Sequence, residues 1–138
     1  MDISLLKLVV DTGLFILIWI VQIVIYPSFL YYTKVNLVRW HVKYITNFSY
    51  VVVPLMLSQL LAAIFNIFSR GTVTNFIYFI LVISTWLLTF IIFVPIHKRI
   101  TLGTCNQELL KNLIKKNWSR TIIWTLLFVL NILLIFLK

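Results

Sequence analysis

Lys116-Asn117-Trp118-Ser119-Arg120-Thr121-Ile122-Ile123-Trp124 is the stretch that decides the fold. In it a basic, water-soluble helix runs into a hydrophobic one with no Pro or Gly to break it. Asn117, Arg120, Thr121 and Trp124 follow the i, i+3, i+4, i+7 spacing of one helical face. A continuous helix therefore enters a membrane here and carries a polar stripe in with it.

Working outward, residues 121–137 contain no Asp, Glu, Lys, Arg or His, and neither do 14–32, 48–68 and 76–96. Crossing the hydrocarbon core takes ~20 apolar residues, within a range of ~17–25. All four segments meet that length. A soluble bundle would need polar outer faces, which they lack. The chain is 62% hydrophobic and 11% charged, which excludes an ordinary soluble domain. The start, Met1-Asp2, with one lysine before the apolar run and no small-residue cleavage site, does not read as a removable signal. The lone Cys105 excludes an intramolecular disulfide and a cysteine zinc site.

A net charge of +9 would suggest nucleic acid in a soluble protein, but here it has a topological use. Lys34, Arg39 and Lys43 fall between spans one and two. Lys98, Arg99, Lys111, Lys115, Lys116 and Arg120 fall between three and four. Only Lys7, Arg70 and Lys138 lie on the other side. The positive-inside rule puts loops one and three in the cytoplasm and both termini outside, in a multi-pass protein of the inner (plasma) membrane. The expected partners are the lipid bilayer, an apolar small molecule and, in a homo-oligomer, a second copy of the chain. Nucleic acid is not among them.

The predicted fold is all-α: an integral membrane four-helix up-down bundle, a single domain over 1–138, with helices 2 and 4 extended on the cytoplasmic side. Asp11 is expected to cap helix 1 at about residue 12, and Pro27 to kink it. Asn36 is expected to cap helix 2 and Gly71 to end it. Thr74 or Asn75 should cap helix 3, which Pro95 bends, and Gly103 should end it. Thr104 or Asn106 should open helix 4 at about residue 107. Gln22 and Gln59 are expected to face inward, because an unpaired amide in hydrocarbon costs several kcal/mol, and their similar depth allows them to bond each other. Asn131 reads as a packing contact.

On this alignment Tyr26, His41, Tyr44, His97, Asn117 and Arg120 gather at the cytoplasmic ends of the helices. Three functions fit. They are interfacial anchors in a structural or accessory subunit without catalysis, or His41 and His97 are axial ligands of a b-type haem. In the third, the residues form a cofactor-free site for an apolar substrate. There a histidine or tyrosine is the base, and Asn117 and Arg120 stabilise an enolate or phenolate. With Glu108 as the only cytoplasmic acid, a di-iron carboxylate site is excluded. For the third function His41, His97 and Arg120 are the candidate catalytic residues, and Gln22, Tyr26, Tyr44, Asn117 and Trp124 the candidate ligand contacts. Arg120 is expected to snorkel, to bond carbonyls freed by Pro27 or Pro95, or to bind an anionic ligand.

Four spans in 138 residues, the pair Tyr26-Pro27 late in helix 1, the pair Trp40-His41 opening helix 2 and the entry Asn117-Trp118-Ser119-Arg120-Thr121 together resemble the anthrone-oxygenase-like family of small membrane proteins. The resemblance implies oxidation of a planar aromatic substrate without metal or flavin. It carries over no particular catalytic residue.

Overall fold

The computed structural model describes residues 3–136, so Asp2 and Lys138 lie outside the described residues. Four helices follow one another: α1 (Ile3–Tyr31), α2 (Lys34–Ser69), α3 (Val73–Thr101) and α4 (Gln107–Phe136), of 29, 36, 29 and 30 residues. At 1.5 Å per residue each is longer than the ~30 Å hydrocarbon core. No strand occurs among the described residues. α1 packs on α2 and α4, and α3 packs on α2 and α4.

Polarity is distributed opposite to that of a soluble bundle. Ile23, Leu61, Ile80 and Phe90 stand on the outside, each more than half exposed. Asp11, Gln22, His41, Gln59, Thr85, Asn117, Thr121 and Asn131 are buried between the helices. In hydrocarbon this is the stable arrangement, since each interior polar group needs a protein partner. The chain thus has the shape and surface of a multi-pass membrane protein.

Helix starts depart slightly from expectation. α2 begins at Lys34 because Thr33, not Asn36, is the cap, its hydroxyl accepting from the Asn36 amide at 3.4 Å. Likewise Thr72 caps α3, accepting from the Asn75 amide at 3.3 Å. In both cases Asn occupies the third helical position, where the cap's hydrogen-bond donor is found. Gly71 is not left-handed, whereas Gly103, at φ 68°, ends α3 as expected. Asn106 caps α4, its side-chain oxygen accepting from the Leu109 amide at 2.9 Å.

Asp11 is not a cap. α1 has begun eight residues earlier, and Asp11 is buried in mid-helix. Its carboxylate accepts from Gln59 Nε2 of α2 at 2.7 Å, from the Tyr78 hydroxyl of α3 at 2.8 and 3.0 Å, and from Asn131 Nδ2 of α4 at 3.0 Å. One carboxylate thus ties α1 to all three other helices. Lys7, one turn earlier, places Nζ 3.8 Å from the centroid of the Tyr78 ring. Gln59 therefore serves Asp11 rather than Gln22, and Asn131 is a ligand of the clamp rather than a packing contact.

Two prolines act through widened turns. α1 is π-helical over Val21–Ile25, just before Pro27, and α3 over Thr89–Phe93, just before Pro95. Proline cannot donate to the carbonyl four residues back, and its ring clashes with it. A π turn relieves that clash and advances every later side chain around the axis. Tyr26 and His97 both follow such a turn. Pro54 lies within α2 without any such break.

Candidate functional site

The polar face of α4 is the base of the site. Arg120 is buried and donates through Nε and Nη2 to Asn117 Oδ1 at 3.0 and 2.6 Å. Asn117 Nδ2 donates to Gln22 Oε1 at 2.9 Å, and the Thr121 hydroxyl donates to the same oxygen at 3.2 Å. Gln22 Nε2 donates to the Ile114 carbonyl at 3.2 Å. Asn117, held at both ends, fixes the guanidinium. The guanidinium carbon stands 3.5 Å from the Phe93 ring centroid, a stacking geometry suited to a desolvated cation.

From Arg120 a chain of short hydrogen bonds leads away. Nη2 donates to the Tyr26 hydroxyl at 2.9 Å. Tyr26 Oη lies 2.8 Å from His97 Nε2, His97 Nδ1 lies 2.8 Å from His41 Nε2, and His41 Nδ1 lies 3.0 Å from Thr101 Oγ1. One proton assignment satisfies every member. Arginine only donates, so the Tyr26 oxygen accepts and its proton goes to His97 Nε2. Neutral His97 then donates from Nδ1 to His41, and His41 from Nδ1 to Thr101. His41 is fully buried, while Thr101 is exposed at the end of α3. The chain therefore runs from the interior to the edge of the bundle. Phe29, fully buried, packs its ring 5.7 Å from that of His41.

Beside this chain lies a cavity of about 570 Å³. Its walls are mostly apolar residues of α1, α2 and α3, and Tyr26, Tyr44, His97 and Arg120 are among the hydrogen-bonding residues that line it. Its exposed lining residues fall in two places: Val53 on α2 with Phe90 and Val94 on α3, between those helices, and Lys98, Thr101 and Leu102 at the end of α3. Arg120 lines this space, and among the described residues its Nη1 has no hydrogen-bond partner and no carboxylate forms an ion pair with it.

His41, His97 and Arg120 are thus connected, but only His97 and Arg120 line the cavity, with His41 one bond behind. Of the expected ligand contacts, Tyr26, Tyr44 and Trp124 line it, whereas Gln22 and Asn117 are buried behind Arg120. Arg120 bonds no carbonyl freed by Pro27 or Pro95. Its internal partners are a side-chain amide, a phenol and an aromatic face. Thr101 and Trp86 were not anticipated as site residues. Thr101 is signalled only by its place four residues after His97, and Trp86 only by lying on the same helical stripe.

A bis-histidine haem does not fit these side chains. Two imidazole nitrogens on opposite sides of one metal ion are about 4 Å apart, yet His41 Nε2 and His97 Nδ1 are at 2.8 Å, with rings inclined by only 24°. The remaining two ring nitrogens are bonded to Tyr26 and Thr101. Among the described residues no group of three His, Cys, Asp or Glu could hold a metal ion.

Comparison with family models, with curated proteins and with solved structures returns no match.

Proposed function

We propose that the protein takes up an apolar, ring-bearing molecule from the bilayer, binds its acidic oxygen beside Arg120 and removes its proton. The observation that carries this is the free Nη1 edge of a buried, uncompensated guanidinium on an apolar cavity. A buried arginine is costly without a partner, and an oxyanion meets that cost while gaining charge-assisted hydrogen bonds. A packed interior would have favoured a structural subunit, and the cavity argues against that.

The hydrogen-bonded chain supplies the route for the proton. The ligand hydroxyl gives its proton to the Tyr26 oxygen as Tyr26 passes its own to His97 Nε2. His97 hands on the Nδ1 proton to His41, and His41 its own toward Thr101 and water. One proton leaves and one anion remains next to Arg120. The resemblance to the anthrone-oxygenase-like family extends this to oxidation. Dioxygen would bond to the carbon of the bound enolate, the peroxide anion would take one proton back through the chain, and the hydroperoxide would lose water with the hydrogen left on that carbon, leaving a ketone.

In the membrane the helices would run up and down, with α2 and α4 extending into the cytoplasm and both termini outside the plasma membrane. Lys7 and Arg120 are buried and drop out of the charge comparison. Lys34, Arg39, Lys43, Lys98, Arg99, Lys111, Lys115 and Lys116 then oppose only Arg70 and Lys138, which strengthens the bias. Thr101, the outlet of the chain, would face the cytoplasm.

The test is partition of para-phenylphenol into nanodiscs with and without the protein. Saturable binding is expected, weakened roughly tenfold or more in Arg120→Leu and less in Arg120→Lys, because a charged hydrogen bond contributes ~1.5–3 kcal/mol. Uptake no greater than that of empty nanodiscs, or equal in all three proteins, would reject the proposal.

A further inference from the structure

We infer that the ligand carries a second anionic group, a carboxylate or sulfonate, at the end remote from the oxygen that Arg120 holds, and that Lys98 binds it. The inference rests on the ligand-binding role proposed above. Lys98 lines the same cavity as Arg120 and His97, and it is exposed. It is the one lysine in that lining, and the adjacent Arg99 does not line the cavity.

Val94, Lys98 and Thr101 stand at i, i+4 and i+7, so they share one face of α3. All three line the cavity and all three are exposed. The two places where the lining is exposed therefore lie in one line along the helix. The cavity is a slot that leads from the apolar midsection of α3 to its end. Residues 76–96 hold no charged residue or histidine, so Lys98 stands just beyond the apolar span. A molecule in the slot has its body among apolar side chains and its far end in the polar zone.

The charge of the slot selects the sign of that end. Its lining contains two cationic side chains, Arg120 and Lys98, and no Asp or Glu. Among the described residues the Lys98 ammonium has no hydrogen bond or ion pair. One oxyanion beside Arg120 leaves the second cation unmatched, and a cleft lined by one sign of charge draws in the opposite sign. The spacing sets a length. Arg120 stands on the Phe93 ring, and Lys98 is five residues further along α3, about 8 Å of rise. A rigid biphenyl with an acidic oxygen at each end spans that distance.

Two probes separate this inference from the binding role itself: para-phenylphenol, with nothing on its far ring, and its analogue bearing a para-carboxylate there. Binding of each is measured in nanodiscs of zwitterionic lipid for wild type, Lys98→Gln, Lys98→Glu and Arg99→Gln. Lys98→Gln should weaken the carboxylate analogue by roughly threefold to fivefold, the upper range for an exposed ion pair, and Lys98→Glu should weaken it further. Para-phenylphenol should bind wild type and Lys98→Gln alike. Arg99→Gln should leave both affinities unchanged, because Arg99 lies outside the slot. If para-phenylphenol binds in an Arg120-dependent way but the carboxylate analogue is indifferent to Lys98, or loses as much in Arg99→Gln, the second contact is wrong and the binding role stands. If para-phenylphenol shows no Arg120-dependent binding, both fall.

Discussion

Arg120 converts a geometric cluster into a chemical one. Its Nη2 fixes the Tyr26 oxygen as acceptor and so sends the phenol proton toward His97. Tyr26→Phe should leave the cavity intact but cut the chain at its first link. Deuterium exchange into the acidic carbon of beta-tetralone, whose enolate oxygen would take the same place beside Arg120, reads the chain as acceptor of a C–H proton. The rate should fall by roughly 100-fold or more in Tyr26→Phe and His97→Gln, the ordinary scale of general acid–base catalysis, and less in His41→Phe, which lies one bond further on. Equal rates in all variants would mean the chain carries no proton. Arg120, the histidines and Tyr26 were legible in the sequence because strongly polar residues stand out in apolar spans. Trp86 was not, because a tryptophan in a span looks the same whether it lines a cavity or packs against a neighbour. Thr101 was equally silent, being an ordinary hydroxyl near a helix end.

At the scale of elements, both π turns precede a proline and both precede a site residue. Sequence alone announces Pro27 and Pro95 but not how the helix absorbs them, since a kink and a widened turn relieve the same clash. The difference matters because a π turn rotates His97 relative to Trp86. Pro95→Ala removes the reason for the wide turn. α3 should then relax toward regular helix, pull His97 away from Tyr26 and His41, and lower the exchange rate while Arg120-dependent binding of para-phenylphenol survives within a few-fold. Wild-type exchange in Pro95→Ala would show that the turn is not needed. Cap positions differ from the expected ones by a few residues for a simpler reason: Thr33 and Thr72 compete with a nearby Asn, and either can cap.

For the whole molecule, the Asp11 clamp is the main feature the sequence concealed. An Asp before an apolar run reads as a cap, because a lone carboxylate inside a span is costly. The four helices remove that cost jointly, each of α2, α3 and α4 supplying a donor at the same depth. Only their register reveals this. Asp11→Ala strands three buried donors, so a loss of about 3 kcal/mol or more is expected, read as earlier unfolding in detergent. Unchanged unfolding would make the clamp incidental. The four-span plan was legible throughout, since length and hydropathy act over whole segments. Orientation is tested by labelling Cys105 in intact cells: it should react only once the cytoplasmic side is opened, and labelling from outside would invert the assignment.

On the proposed function this cavity holds an anionic oxygen beside Arg120. The ultraviolet spectrum of para-phenylphenol bound to the protein in nanodiscs, at neutral pH where the free phenol is un-ionised, tests it most directly. The phenolate band is expected for wild type, and its loss in Arg120→Leu. A neutral phenol spectrum in the wild-type complex would contradict it.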